Sequence, residues 1–149
     1  MYDWWRAKTL FEYLYLKRVF NMNIMNQNVL NDFTKVLIKN KYKNKIQELK
    51  LEYCTNEQDN YITLNVIRIK TSQQNKGYGS MIMNDIIQLA DTYNVKIKLF
   101  ATNLWGADLK RLYRFYEKQG FVRIKNKFDI GKLIYFPKNK LIVVNVQNK

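Results

Sequence analysis

Apolar positions follow two rhythms along this chain, one helical and one alternating, and their order predicts a mixed α/β architecture. Residues 4–20 place Leu10, Phe11 and Leu14 on one side of an aromatic-rich helix. Residues 21–28 form a polar connector, and from Val29 to about Lys45 the residues Leu30, Phe33, Val36 and Leu37 recur at helical spacing. The period then drops to two. Leu49, Leu51 and Tyr53 alternate with charged neighbours in "IQELKLEYC", a half-buried strand, and "TNEQDN" reads as a hairpin loop. The next run, "YITLNVIRIK", is apolar at Ile62, Leu64 and Val66, then at Ile67 and Ile69, so its phase slips at Val66-Ile67. A β-bulge produces such a slip, because one extra residue turns the following side chains over. A strand apolar on both faces for two residues gives the same pattern.

Ile82, Ile86, Leu89, Ala90 and Tyr93 mark one face of a further helix, followed by the strand "VKIKLF" with Val95, Ile97 and Leu99 inward. The loop "ATNLWG" leads to a helix carrying Leu109, Leu112, Tyr113 and Tyr116, with Gly120 as the residue just past its end. "FVRIKNKF", "KLIYF" and "KLIVVNV" read as closing strands, and Pro137 marks an edge or a strand end. The expected fold is a mixed sheet with helices packed on it, one domain over residues 1–149, with residues 1–45 as a helical N-terminal extension.

Composition narrows the chemistry. Nearly half of the 149 residues are apolar, which supports a packed core. No run of about 18 uncharged apolar residues occurs, and the first 20 residues have scattered charges and no small-residue cleavage site, so neither a membrane span nor a secretory signal is expected. Cys54 is the only cysteine and there is no histidine, which excludes Ser-His-Asp and Cys-His catalysis and the usual zinc sites and fits a cytoplasmic protein. The net charge of +14 is uneven. Residues 1–60 hold 10 Lys and Arg against 7 Asp and Glu, and residues 61–149 hold 16 against 5. The second part attracts polyanions such as nucleic acid, an acidic protein face or a phosphate-rich cofactor, although dispersed lysines also read as a solvated face.

In a chain with five glycines, Gly77 and Gly79 stand one residue apart, in Gln74-Asn75-Lys76-Gly77-Tyr78-Gly79, between a strand ending at Lys70 and a helix starting near Ser80. Glycine there allows positive φ and close approach of a ligand, and successive amides at a helix N-terminus bind anions. The third glycine and the later acidic residue of a dinucleotide fingerprint are missing, and no Gly-Lys-Ser/Thr of a Walker loop occurs.

Gln-x-x-Gly-x-Gly after a bulged strand resembles the acetyl-CoA pyrophosphate loop of the GCN5-related N-acetyltransferases, and "RFYEKQGF", Arg114 to Phe121, is similar to that family's Leu-Tyr-Glu-Lys-x-Gly-Phe segment. The resemblance covers roughly Leu49 to Pro137, an acetyl-CoA-binding core of residues 49–137. It implies two parallel strands, ending here at Lys70 and Phe100, splayed by the bulge to admit the pantetheine arm. It also implies that backbone groups of Ile67 and Ile69 pair with that arm. The amides of Asn75, Lys76, Gly77, Tyr78, Gly79 and Ser80, with Gln74, would hold the pyrophosphate. Lys76 adds charge in that reading and is a solvated turn lysine otherwise. Tyr116 is implied as the general acid at the departing CoA sulfur; by spacing alone it continues the core stripe of its helix. A phenol of pKa about 10 serves a thiol of pKa about 8.5 only with tight positioning or a lowered pKa.

Two departures stand out. Position 109 is leucine where the family often has an asparagine, with Asn103 further upstream, and the strand Tyr61–Lys70 lacks the family's glutamate. Glu52, Glu57, Asp59, or a water relayed by Tyr61 or Asn65, are the candidate general bases. A lysine amine needs about 3 pK units, roughly 5 kcal/mol, to be neutral at pH 7, and an α-amine about one unit. The expected activity is transfer of the acetyl group of acetyl-CoA, without a metal, to a primary amine: a protein lysine or N-terminus, an aminoacyl-tRNA, or a small amine. An acidic or RNA-bearing acceptor suits the basic second part, no membrane is expected, and the oligomeric state is open, a dimer included. The alternative is a basic, non-catalytic module on a degenerate acetyltransferase fold that binds nucleic acid or protein; Trp4, Trp5 and Trp105 could stack on bases there, although core, lid or dimer contact is the more common use of such aromatics.

Overall fold

The computed structural model describes residues 25–56, 59–103, 106 and 108–138. The helix expected over residues 4–20, the strand "KLIVVNV", Glu57 and the three tryptophans lie outside the described residues.

The described chain starts with a helical run. Asn26 caps it, its side-chain oxygen accepting from Val29 N at 2.9 Å. Helix α1 (Gln27–Asp32) passes into a π-helical stretch (Phe33–Ile38) and ends in the short α2 (Lys39–Lys41). Val29, Leu30, Phe33, Leu37 and Ile38 are buried along it, while Val36, expected inward, is only half-buried. The wider π turn carries that change of facing: the period departs from the α-helical spacing on which the expectation rested.

Strands β1 (Ile46–Thr55) and β2 (Asn60–Ile69) form an antiparallel pair. Helix α3 (Tyr78–Tyr93) then crosses over to β3 (Lys96–Phe100), parallel to β2. Helix α4 (Leu109–Lys118) leads to β4 (Val122–Arg123) and β5 (Lys132–Tyr135). The sheet is five-stranded in the order β1-β2-β3-β5-β4. The mixed α/β fold, the helix–sheet order and the hairpin thus stand as the pattern of apolar residues indicated.

Two element boundaries differ from the expected ones. The strand expected through "FVRIKNKF" is only Val122–Arg123, because Asn126 turns the chain: its side-chain oxygen accepts from Phe128 N at 2.8 Å and Asp129 N at 2.7 Å. Helix α3 begins at Tyr78 with Gly77 as its cap, two residues ahead of the expected start.

One apolar core joins the helical run, α3 and the sheet. Ile62, Ile82, Met83, Ile86, Leu89, Ala90, Ile97 and Leu133 are fully buried in it. Asp85 is the buried acid among them, held by Lys41 Nζ at 2.9 and 3.1 Å and by the Tyr42 hydroxyl at 2.5 Å. These bonds tie the helical run to α3, so the described helical run and the sheet share one core.

Candidate active site

The phase slip in β2 has a structural cause. Leu64 pairs with Leu51 and Val66 with Lys50, so Asn65 is an extra residue opposite none: a bulge one position ahead of the slip read from the sequence. It brings Ile67 and Ile69 onto the core side with Ile62 and Leu64, all four packing against the same cluster. On β1 no extra residue sits opposite, and Leu49, Leu51 and Tyr53 keep their simple alternation against Ile67, Leu64 and Ile62.

Beyond the bulge the sheet opens. The parallel register of β2 and β3 covers Tyr61 with Lys96, Ile62 with Ile97 and Thr63 with Lys98, and stops there. From that point β2 stays with β1 out to the pairing of Ile69 with Ile46. Strand β3 stays with β5, Leu99 pairing with Leu133 and Phe100 with Lys132. A wedge between two parallel strands therefore leads towards the loop that follows β2.

That loop is built on left-handed backbone. Asn75 has φ 61° and Gly77 φ 84°. Gly77 caps α3 with no side-chain hydrogen bond, and a methyl group built on it would meet nothing within 4 Å. The first bond of the helix runs from Met81 N to Gly77 O at 3.1 Å, so the amides of Tyr78, Gly79 and Ser80 precede the α-helical ladder, with the positive end of the dipole beneath open space. Lys76 is exposed here. Gln74 donates its side-chain amide to the Ile69 carbonyl at 3.2 Å, bracing the loop against the end of β2. Ile67 and Ile69 themselves are half-buried.

Helix α4 packs on this turn. Asp108 caps it, accepting from Lys110 N at 2.9 Å. A methyl group on Gly79 would lie 3.8 Å from Phe115 Cζ, and Arg111 Nη2 donates to Asn75 Oδ1 at 3.0 Å. Sequence reasoning passed over both contacts. The available signal was the i, i+4 spacing of Arg111 and Phe115, which puts them on one helix face. Lys45 also reaches the loop, its Nζ 5.1 Å from the Tyr78 ring centre and 3.2 Å from Gln73 Oε1, and nothing in the local sequence announces that contact.

Tyr116 is 7% exposed and edge-to-face with Phe115 and Phe121 at 5.1 and 5.6 Å between centroids. It thus satisfies the core stripe read from the spacing. Burial pushes its hydroxyl up to about 12. That runs against the lowered pKa which would ease full proton donation.

Of the candidate bases, Asp59 is engaged by Lys96 at 3.2 Å and Lys98 at 3.0 Å. Its partial burial alone would raise its pKa, but the hydrogen bonds and charges of the two lysines outweigh this and hold it below the usual carboxylate range. Lys98 also lies over the Tyr61 ring at 3.7 Å. Glu52 is exposed and accepts from Asn65 Nδ2, the bulge residue, at 3.3 Å. Among the described residues no group of His, Cys, Asp and Glu could hold a metal ion, and no helix is long and apolar enough to cross a membrane.

No protein-family model matches the chain, and no curated protein does. Solved structures resemble it weakly. A mutant of the AtaT toxin bound to the C-terminus of the antitoxin AtaR and acetyl-CoA is 18% identical, over 60% of this chain and 56% of that one, with a TM-score of 0.41. The chain therefore spans little more than half of that toxin chain. The KacTA–DNA complex is 19% identical over 76% and 82% of the two chains, with a TM-score of 0.43. AtaTR bound with acetyl-CoA is 17% identical over 76% and 81%, with a TM-score of 0.45. At these identities and scores the likeness carries no argument about what this chain does, and its own geometry must carry it.

Proposed function

We propose that this protein is an N-acetyltransferase of the GCN5-related type, moving the acetyl group of acetyl-CoA directly to a primary amine. The observation that carries the reading is the wedge between β2 and β3, opened after Thr63 and Lys98 by the bulge at Asn65. It leads to a helix N-terminus capped by a left-handed glycine with open space above it. A thiol cofactor with an extended amide-bearing arm and a diphosphate needs such a slot and such a cradle in series. A simple anion site would need only the second.

In this reading the Ile67 and Ile69 backbone lines the slot. The Asn75 to Ser80 amides hold the diphosphate, with Gln74 bracing the loop and Lys76 adding charge. When bound, acetyl-CoA supplies an activated thioester. The chain's part is to hold thioester and amine together and to direct N–H groups at the acyl oxygen, which accounts for most of the acceleration in direct acyl transfer. Among the described residues, Glu52, held at the bulge by Asn65, is the candidate carboxylate left to take the amine's proton, directly or through a water, since Asp59 is neutralised by two lysines. Tyr116 keeps its proton at every physiological pH. Its hydroxyl therefore stabilises the departing sulfur as a hydrogen-bond donor. With pKa values near 12 and 8.5, complete transfer would run uphill by roughly 5 kcal/mol.

The acceptor is a primary amine on a protein lysine or N-terminus, an aminoacyl-tRNA or a small molecule, and the net charge of +14 favours an acidic or RNA-bearing one. The test is direct. The purified protein is heated with and without acetyl-CoA, then incubated with labelled acetyl-CoA and cell lysate, with free thiol and labelled products measured. Thermal stabilisation, thiol release and a labelled amine are expected. Stabilisation by RNA in a salt-dependent manner, with none by acetyl-CoA, would replace the enzyme with the nucleic-acid-binding alternative.

A further inference from the structure

Arg111 lies in the first turns of α4, exposed, and its side chain bonds 36 positions back to Asn75, at the left-handed turn of the phosphate loop. The other arginines with described contacts meet carboxylates: Arg68 lies 3.8 Å from Glu48, and Arg123 lies 2.8 Å from Glu117. Arg111 has no such partner among the described residues, and the chain carries no acidic residue between Asp59 and Asp85. A guanidinium offers five N–H donors in a planar fork, and the neutral Asn75 oxygen takes one of them.

The same face of α4 makes a second contact with the loop. Phe115, four residues on, packs at Gly79, and Tyr116 follows it. The loop is therefore braced at Asn75 and at Gly79 by one helix face, and a cation without a carboxylate partner among the described residues sits at the first of these points.

Resting on the acetyl-CoA reading, we propose that Arg111 is a phosphate-binding residue of the cofactor site. It is held beside the loop by Asn75, so that its free N–H groups meet a phosphate oxygen of the cofactor. The ligand chemistry is a phosphate ester anion. In coenzyme A this is either the diphosphate or the phosphomonoester on the ribose, and the experiment separates them.

Acetyl-CoA and acetyl-dephospho-CoA, which lacks the ribose phosphomonoester, are titrated by calorimetry into wild type, Arg111→Lys and Arg111→Gln. Arg111 is exposed, so both variants should fold, and circular dichroism checks this. Arg111→Gln should bind acetyl-CoA roughly ten-fold more weakly, with Arg111→Lys in between because it keeps charge and loses the fork. In turnover the loss should fall on KM, with kcat within about two-fold. An equal loss with acetyl-dephospho-CoA assigns Arg111 to the diphosphate; a loss that vanishes with it assigns Arg111 to the phosphomonoester. Wild-type affinity in Arg111→Gln for both ligands overturns the assignment and leaves the enzyme reading standing. Failure of wild type to bind either ligand overturns that reading, and the role of Arg111 with it.

Discussion

Tyr116 meets Phe121 edge-on, with 5.6 Å between ring centroids and 65° between planes. Phe121 in turn meets Tyr135 at 5.6 Å. The phenol of Tyr116 thus sits against apolar rings that cannot solvate a phenolate, which is why burial raises its pKa to about 12. Tyr116→Phe keeps the ring and removes only the hydroxyl, which makes no hydrogen bond to a described residue, so the fold should lose less than about 1 kcal/mol. Turnover should fall by roughly ten- to a hundred-fold, with acetyl-CoA affinity within two-fold. Steady-state thiol release alongside calorimetry checks this, and unchanged turnover would return Tyr116 to a purely packing role. Wild type should also show no alkaline loss of rate from Tyr116 up to about pH 10, since this phenol stays protonated there.

Glu52 and Asp59, both on the β1–β2 hairpin, should separate in the same assay. Glu52→Gln is expected to lower kcat by roughly a hundred-fold with acetyl-CoA binding intact, because amide nitrogen and oxygen cannot take the proton. Asp59→Asn should leave kcat within a few-fold. Its effect belongs to acid stability instead. A carboxylate whose folded pKa lies below its unfolded value contributes stability present above about pH 4 and lost as pH falls through the folded pKa. Denaturant melts at pH 7 and pH 3 should therefore show wild type losing more stability on acidification than Asp59→Asn does.

Gly77 separates backbone from charge. Its φ of 84° is strained for any L side chain, yet a methyl group there meets nothing within 4 Å. Gly77→Ala should consequently cost about 1–2 kcal/mol of stability from conformation alone. Gly77→Asp carries no more strain than this, since aspartate tolerates the left-handed region better than alanine, and it adds a negative charge above the helix N-terminus. It should weaken acetyl-CoA binding at least ten-fold beyond the alanine variant, an excess that shrinks with added salt. Equal affinities for the two variants would mean that no phosphate approaches Gly77.

Much of this was readable before any coordinates. Alternation at Leu49, Leu51 and Tyr53 marked the hairpin, and the slip after Val66 left a bulge or a strand apolar on both faces, because a side chain on a strand has only two faces to choose from. The slip did not give the bulge its address, since Asn65 is polar and contributes nothing to the apolar count that was being followed. The opening of β2 from β3 is a property of hydrogen bonds that are not made, and no residue type encodes it; only the family resemblance anticipated it. Lys45 and Arg111 were invisible for a related reason. Their contacts with Tyr78, Gln73 and Asn75 join segments about 28 to 36 residues apart, and a surface cation has no periodicity that would point to its partner. The short β4 was overestimated because "FVRIKNKF" scores as a strand, while the turn that ends it depends on one side chain, Asn126, bonding to two backbone amides.

Asp85 offers the sharpest stability test. At 4% exposure it would be costly as a lone charge, and it is tolerated because Lys41 contacts both its oxygens and Tyr42 donates to one. Burial first, then the hydrogen bond and charge of Asp85, raise the Tyr42 pKa, so the hydroxyl keeps its proton and remains a donor. Asp85→Ala removes the acceptor for both partners, leaving the Tyr42 hydroxyl buried without a partner and the Lys41 ammonium, which is partly exposed, free to turn to solvent. The expected loss is about 3 kcal/mol, or roughly 6–12 °C in Tm for a domain of this size. Tyr42→Phe removes one donor and leaves the ion pair, so it should cost about half as much. The double variant should then lose less than the sum of the two, because the stranded hydroxyl that makes Asp85→Ala costly is gone. Additive losses in thermal melts would mean that Tyr42 and Asp85 stabilise the junction between the helical run and α3 independently.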